Sequence, residues 1–143
     1  MTYLFDTNAC IHLMKLREPL TARARDAGPS AIAITAITLA EMWSGAAKSH
    51  HPRRTRADQD AFLAPFRVLD FDTAAADCYA NARAHLAAKG QPIGDRDLMI
   101  AAIALANRLT VVTSNVSEFA RVPGVTVEDW MRCLSTMAAL RAV

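Results

Sequence analysis

The feature that most constrains this chain is an alternation of short strand-like runs with longer helix-patterned stretches. Tyr3–Phe5, Ala31–Thr35, Phe66–Phe71, Thr110–Thr113 and Val125–Val127 carry the β-branched, aromatic and alternating apolar residues that suit strands. Between them, residues 8–16, 21–27, 37–48, 58–66, 72–89 and 95–109 carry helical spacing. Strands that alternate with helices are joined by crossovers, and crossovers make a parallel sheet. The expected class is α/β, with a central parallel sheet of four to five strands flanked by helices. At 143 residues and 52% hydrophobic content, with no repeat and no long linker, residues 1–143 read as a single domain with a filled core.

Local signals add detail. Thr35 or Thr38 caps helix 37–48, and Asp72 or Thr73 caps the long helix that Gly90 closes. Asp95 is placed to cap the next helix. That helix is apolar almost all round, from Leu98 through Leu105, so it is expected inside the fold. In helix 37–48, Leu39, Trp43 and Ala46 form one stripe. Glu41 faces away from it beside Ser44, Gly45 and Lys48. Pro52 is expected to make part of the basic stretch 48–56 a loop, with helix resuming at Asp58. The tail from Glu128 to Val143 is an amphipathic segment.

Several classes are excluded or left open by composition. Net charge of +2 and a pI near 8.6 neither prove nor oppose a nucleic-acid partner. Cys10, Cys78 and Cys133 are far apart, with no CxxC or Cys/His pair, so zinc is not suggested. They read as buried free thiols in a reducing compartment. No basic n-region precedes an apolar h-region, and the longest apolar run, Leu98–Ala106, is far short of the roughly 20 residues that span a bilayer. The expectation is a cytoplasmic protein without a membrane partner.

Three acids stand out by position. Asp6 ends the first strand, Glu41 is the only acid on its helix, and Asp97 opens the apolar helix. In parallel α/β folds the carboxyl edge of the sheet is where ligands sit. Clustered carboxylates need a cation, and an all-oxygen set without His or Cys favours Mg²⁺ or Mn²⁺. Each acid also has a plainer role. Asp6 serves equally as a helix N-cap, Glu41 as a surface residue or capping-box partner of Thr38, and Asp97 as a complement to the helix dipole. Asp95 and Asp97 point about 200° apart on a helix, so both do not serve as equal ligands.

Four segments, taken together and in order, resemble the signature segments of PIN-domain proteins. They are Phe5-Asp6-Thr7-Asn8, Ile37-Thr38-Leu39-Ala40-Glu41, Pro92 through Ala102, and Val112 through Phe119. The match is nearest to the VapC-type toxin ribonucleases and spans residues 3–130, with Val122-Pro123-Gly124 and Val127 through Trp130 resembling that group's usual ending. The resemblance implies a PIN-like three-layer fold. It implies Asp6, Glu41 and Asp97 as catalytic metal ligands for Mg²⁺ or Mn²⁺, with Asp97 rather than Asp95 standing three residues before Ile100-Ala101-Ala102. It implies Thr7, Asn8 and Thr113 as supporting polar groups, and Asn115 and Glu118 at the variable fourth position. Asp95 is a departure from the pattern and its role stays open. Ser114 stands where an Asn is frequent.

The activity implied is metal-dependent hydrolysis of RNA phosphodiesters to a 5′-phosphate and a 3′-hydroxyl. The implied partners are RNA, a small cognate antitoxin whose tail enters the acidic groove, and a second copy in a homodimer. Lys48, Arg53, Arg54 and Arg56 would fit as a phosphate-contacting lip, with a solvated basic stretch as the equal alternative. Two other functions compete. One is a catalytically idle PIN module acting in antitoxin-bound DNA autoregulation. The other is a phosphatase with Asp6 as nucleophile, which would want a second Asp where Asn8 stands.

Overall fold

The computed structural model describes residues 1–132; Cys133 and most of the amphipathic tail lie outside the described residues. The order of elements is β1 (Tyr3–Phe5), α1 (Thr7–Met14), α2 (Leu20–Ala27), a 3₁₀ turn (Pro29–Ala31), β2 (Ile32–Thr35), α3 (Ala36–Ala47), α4 (Pro52–Leu63), β3 (Arg67–Leu69), α5 (Thr73–Ala88), α6 (Asp95–Asn107), β4 (Thr110–Val112), α7 (Val116–Phe119) and β5 (Val127–Glu128). The five strands form one sheet in the order β3-β2-β1-β4-β5, and every pairing is parallel. The α/β expectation, with helices flanking a parallel sheet, holds.

Successive strand residues point to opposite faces, and both faces are covered. Leu4, Ala33 and Val111 pack with Ala75, Ala82 and Leu86 of α5, the apolar side of α6, and Phe119 of α7. Phe5, Ile32, Ile34 and Val112 pack with Ala9, Cys10 and Leu13 of α1, Leu20 and Ala24 of α2, Met42 and Leu63. Two apolar layers on one sheet explain why the strands read as continuous apolar runs. Leu98, Ile100, Ala101, Ala102 and Ile103 of α6 are fully buried, as its all-round hydrophobicity required. Trp130 is buried by edge-on packing against Tyr3 and Phe5.

Caps were legible where a side chain had one backbone target. Thr35 accepts the Thr38 N–H, Asp72 accepts the Ala75 N–H, and Gly90 follows α5 at φ +62°. Four expectations change. Part of the basic stretch is a loop, residues 48–51, but helix resumes at Pro52 rather than at Asp58: the proline occupies the first position of α4, where its missing N–H costs nothing and its fixed φ suits the helix. Asp95 is not the cap of α6. Gly94 holds that position, and the Asp95 carboxylate is taken instead by Tyr79 and Arg83 of α5. The buried stripe of α3 is Thr38, Met42 and Ala46, one position round from the Leu39 line, because Trp43 is drawn outward to α4. Cys10 is buried, but Cys78, beside Ala75 and Ala82 at the margin of the core face of α5, is only half-buried.

The strand order sets the site. From central β1 the chain proceeds to β2 on one side, while β4 returns on the other. Such a reversal opens a crevice at the carboxyl ends of the strands. Asp6 follows β1 and Thr113 follows β4 directly at that point. No helix among the described residues is long and apolar enough to cross a membrane.

Because α6 is enclosed, Leu98→Ala is expected to lower the free energy of unfolding by roughly 3 kcal/mol, through lost transfer energy and the cavity left behind. Urea denaturation with unchanged m-value checks this; a loss below about 1 kcal/mol would show that the helix collapses freely around the gap.

Candidate metal centre

Asp6 is almost wholly buried at the end of β1, with 2% of its surface exposed. Both its oxygens are engaged. Oδ1 accepts the Ala9 N–H at 2.8 Å and so caps α1, while Oδ2 accepts the Thr113 hydroxyl. The cap role therefore coexists with a second hydrogen bond, from the end of β4, while Asp6 lines the crevice. Burial raises the Asp6 pKa from 3.8 to about 6, against the lowering effect of these two hydrogen bonds; the charges of Asp97 and Glu41 raise it further.

Glu41 is held by a line of hydroxyl groups. Thr7 donates to its Oε1 at 2.8 Å, and the Thr7 oxygen lies 3.1 Å from that of Thr38. Thr35 donates to the Thr38 oxygen at 3.5 Å. With Thr7's proton committed to Glu41, Thr38 donates to Thr7, and the line runs one way from the sheet to the carboxylate. Hydroxyls aligned in this sense polarise one another. Thr35 and Thr38 were legible only as caps; their joint role depends on α1 and α3 lying side by side.

Asp97 occupies the first turn of α6. Its Oδ2 accepts the Asn115 amide at 3.3 Å, and the same amide donates to Glu118 at 3.1 Å. The Asn115 backbone N–H donates in turn to the Thr113 oxygen at 2.8 Å. One short loop after β4 thus orients both Asp6 and Asp97. Burial raises the Asp97 pKa, and the neighbouring charges of Glu118 and Glu41 add to it.

Asp6, Glu41 and Asp97 line one cavity of about 560 Å³, together with Thr7 and Asn8. Asp95 does not line it. The donor set is all oxygen, which suits a hard divalent cation. Arg96, 3.7 Å from Glu41, is the cation within ion-pair reach of these acids among the described residues. No three of the described His, Cys, Asp or Glu side chains already stand in closed ligating geometry. The donor chemistry nevertheless fits the ion. Carboxylates whose pKa values are raised by burial and by one another gain most from a cation between them.

Of the basic residues, Arg56 is engaged within the fold: it pairs with Asp60 of its own helix at 3.1 Å and stacks over Trp43 of α3 at 3.6 Å. Lys48, Arg53 and Arg54 are exposed. The Arg83–Asp95 pair and the Trp43–Asp60–Arg56 cluster were not foreseen. Arg83 and Asp95 lie on different helices, as do Trp43 and Asp60; only the Arg56–Asp60 pair is local, at i,i+4 on α4.

Comparison with known proteins places these features in a family. A model of the PIN domain matches residues 3–125. The chain is 41% identical over 130 residues to a tRNA(fMet)-specific endonuclease VapC of Salmonella typhimurium, covering 91% of this chain and 98% of that protein. A crystal structure of DNA-bound VapBC from Salmonella typhimurium superposes with a TM-score of 0.86 at 42% identity, covering 91% and 98% of the two chains. A member of the VapBC family of toxin-antitoxin systems from Mycobacterium tuberculosis gives a TM-score of 0.67 at 30% identity, over 89% and 95%.

The Asp6 environment has a measurable consequence. Its pKa is 3.8 ordinarily and about 6 in the fold. A raised carboxylate favours the folded state below 3.8, and that advantage is lost as pH rises through about 6. In chelator-treated protein, Asp6→Asn is therefore expected to unfold at a higher temperature than wild type near pH 7.5. The difference corresponds to at most roughly 3 kcal/mol and closes by about pH 4. Thermal melts across this range check it; a pH-independent difference would contradict it.

Proposed function

The chain belongs to the PIN-domain family, and from that premise we propose that it is a divalent-metal-dependent endoribonuclease, the toxin of a toxin–antitoxin pair. The observation that carries this is the convergence of Asp6, Glu41 and Asp97, from three separate segments, on one cavity at the reversal point of the sheet. The endonuclease and toxin–antitoxin names of its relatives point the same way. The alternative of a catalytically idle module is disfavoured, because all three acids and the groups that orient them are in place.

In this reading Asp6, Glu41 and Asp97 hold the ion, Mg²⁺ in the cell with Mn²⁺ as a substitute. When bound, the ion polarises the phosphodiester and acidifies water for in-line attack. The protein supplies the orientation. Thr113 fixes the Asp6 carboxylate, Thr7 fixes Glu41, and Asn115 fixes Asp97 beside Glu118. Asn8 stands at the cavity lip, where a phosphoryl oxygen can accept from its amide. The expected products are a 5′-phosphate and a 3′-hydroxyl. Asp95 acts outside the ion site. With Arg83 and Tyr79 it fastens the first turn of α6 to α5.

The proposed partners are RNA, a small cognate antitoxin and a second copy of the chain. Exposed Lys48, Arg53 and Arg54 are proposed to meet RNA phosphates, and Arg56 to brace α4. Residues 1–143 form one domain, placed in the cytoplasm in keeping with unpaired Cys10 and Cys78.

Cleavage of a structured RNA with Mn²⁺ tests the assignment. Asp97→Asn is expected to reduce the rate at least 100-fold, and a chelator to abolish it, whereas Asp95→Asn should cleave within a few-fold of wild type. Equal cleavage by Asp97→Asn would remove Asp97 from the site.

A further inference from the structure

The cavity that holds the acids extends well past them. Along α1 it is lined by Asn8, Ile11 and Lys15, which fall on one helix face at i, i+3 and i+7. From Asp6 to Lys15 that face runs roughly 13 Å at 1.5 Å per residue. Met42 forms the wall of α3. Gly45, one turn after Glu41, leaves that wall open: a methyl group built on it would meet, beyond its own helix backbone, no atom of the described residues within 4 Å. Glycine inside a helix is destabilising relative to alanine. No packing contact among the described residues accounts for it here.

The far wall is α4, which carries Gln59. The Gln59 amide oxygen is buried and accepts no hydrogen bond from any described residue. A buried acceptor left unmatched is costly unless a donor arrives. Gln59 is held facing the cavity by its neighbour: Asp60 accepts the Trp43 indole N–H at 2.9 Å and pairs with Arg56, which locks α4 onto α3. The groove thus offers an apolar slot beside the acids, a primary amide at its wall and an ammonium group at its outer end.

Resting on the ribonuclease reading above, we propose that this extension is a nucleobase subsite for the residue next to the cleaved phosphodiester, with adenine its preferred occupant. The base stacks between Ile11 and Met42 in the space left by Gly45. The Gln59 amide accepts from the exocyclic amino group and donates to the adjacent ring nitrogen, a pairing to which adenine's edge is complementary. Lys15 contacts the phosphate beyond the base. Continuity with the acid cavity identifies the occupant: a chain whose phosphodiester lies at the acids must run along this groove or leave it.

The test uses fluorescein-labelled five-nucleotide RNAs, all-adenine and all-uracil, with anisotropy measured in Ca²⁺, and Mn²⁺ affinity measured separately by calorimetry. Wild type is expected to bind the adenine RNA about tenfold more tightly than the uracil RNA. Gln59→Leu removes that preference, and Gly45→Leu weakens both RNAs. Both variants should retain the wild-type Mn²⁺ affinity, and Gly45→Leu should stay folded because its side chain meets open space. Lys15→Gln should flatten the salt dependence of binding without changing base preference. Base preference unchanged in Gln59→Leu overturns the subsite. So does loss of Mn²⁺ binding in either groove variant, or retained RNA binding with lost inhibition by a co-expressed antitoxin, which makes the groove the antitoxin's seat. A wild type that cleaves no RNA at all would instead count against the ribonuclease reading itself.

Discussion

The hydrogen bond from the Thr113 hydroxyl to the Asp6 carboxylate joins the ends of β1 and β4, and the site depends on it. Asp6 lies where the central strand stops and α1 begins, almost without solvent. A carboxylate there must find donors in the protein. One oxygen finds the first turn of α1, and the other finds β4's end. The two strands that flank the sheet's reversal are thereby tied at the point where a ligand would enter.

Around that tie the structure gathers negative charge and orients it. Glu41 is steered by threonines from two elements, and Asp97 by an asparagine whose own backbone is anchored to Thr113. Each carboxylate is fixed by a neutral donor rather than neutralised by a buried cation. Arg96 approaches Glu41 from the exposed rim only. Neutral donors hold geometry without cancelling charge, so the capacity to attract a divalent ion survives. The arrangement resembles the supporting shells that position ligands at metal sites generally. On the opposite face of α6, Arg83 and Tyr79 of α5 engage Asp95. Two acids two residues apart therefore serve different ends, one as a fastening and one facing the crevice.

Much of this was readable in the chain. The period-two strands, the all-apolar α6 and the caps at Thr35 and Asp72 rest on neighbours close in sequence, and local chemistry decides them. Pro52 shows where local reasoning forks. A proline either ends a helix or begins one, and here the residues after it decide for a beginning. Asp95 shows a second limit. Its capping chemistry is sound, but a guanidinium from α5 offers a stronger partner than a backbone N–H, and that guanidinium is 12 residues away. Trp43 fell on an apolar stripe by period alone, yet its indole N–H is satisfied across the gap to α4, which rotates the buried face of α3 towards Met42.

The sequence by itself determined the class of fold, the parallel sheet and the three acidic positions, because hydrophobic periodicity and the ends of elements are written in consecutive residues. Only the tertiary structure decided which donors hold the two Asp6 oxygens, that a line of threonines leads to Glu41, and that Gly45 and Gln59 border the same cavity as Asp6. Those facts depend on how α1, α3 and α4 lie against one sheet. Helix packing is set by the summed burial of many side chains, not by any short pattern, so the partners of a polar group more than a turn away appear only when the chain is folded.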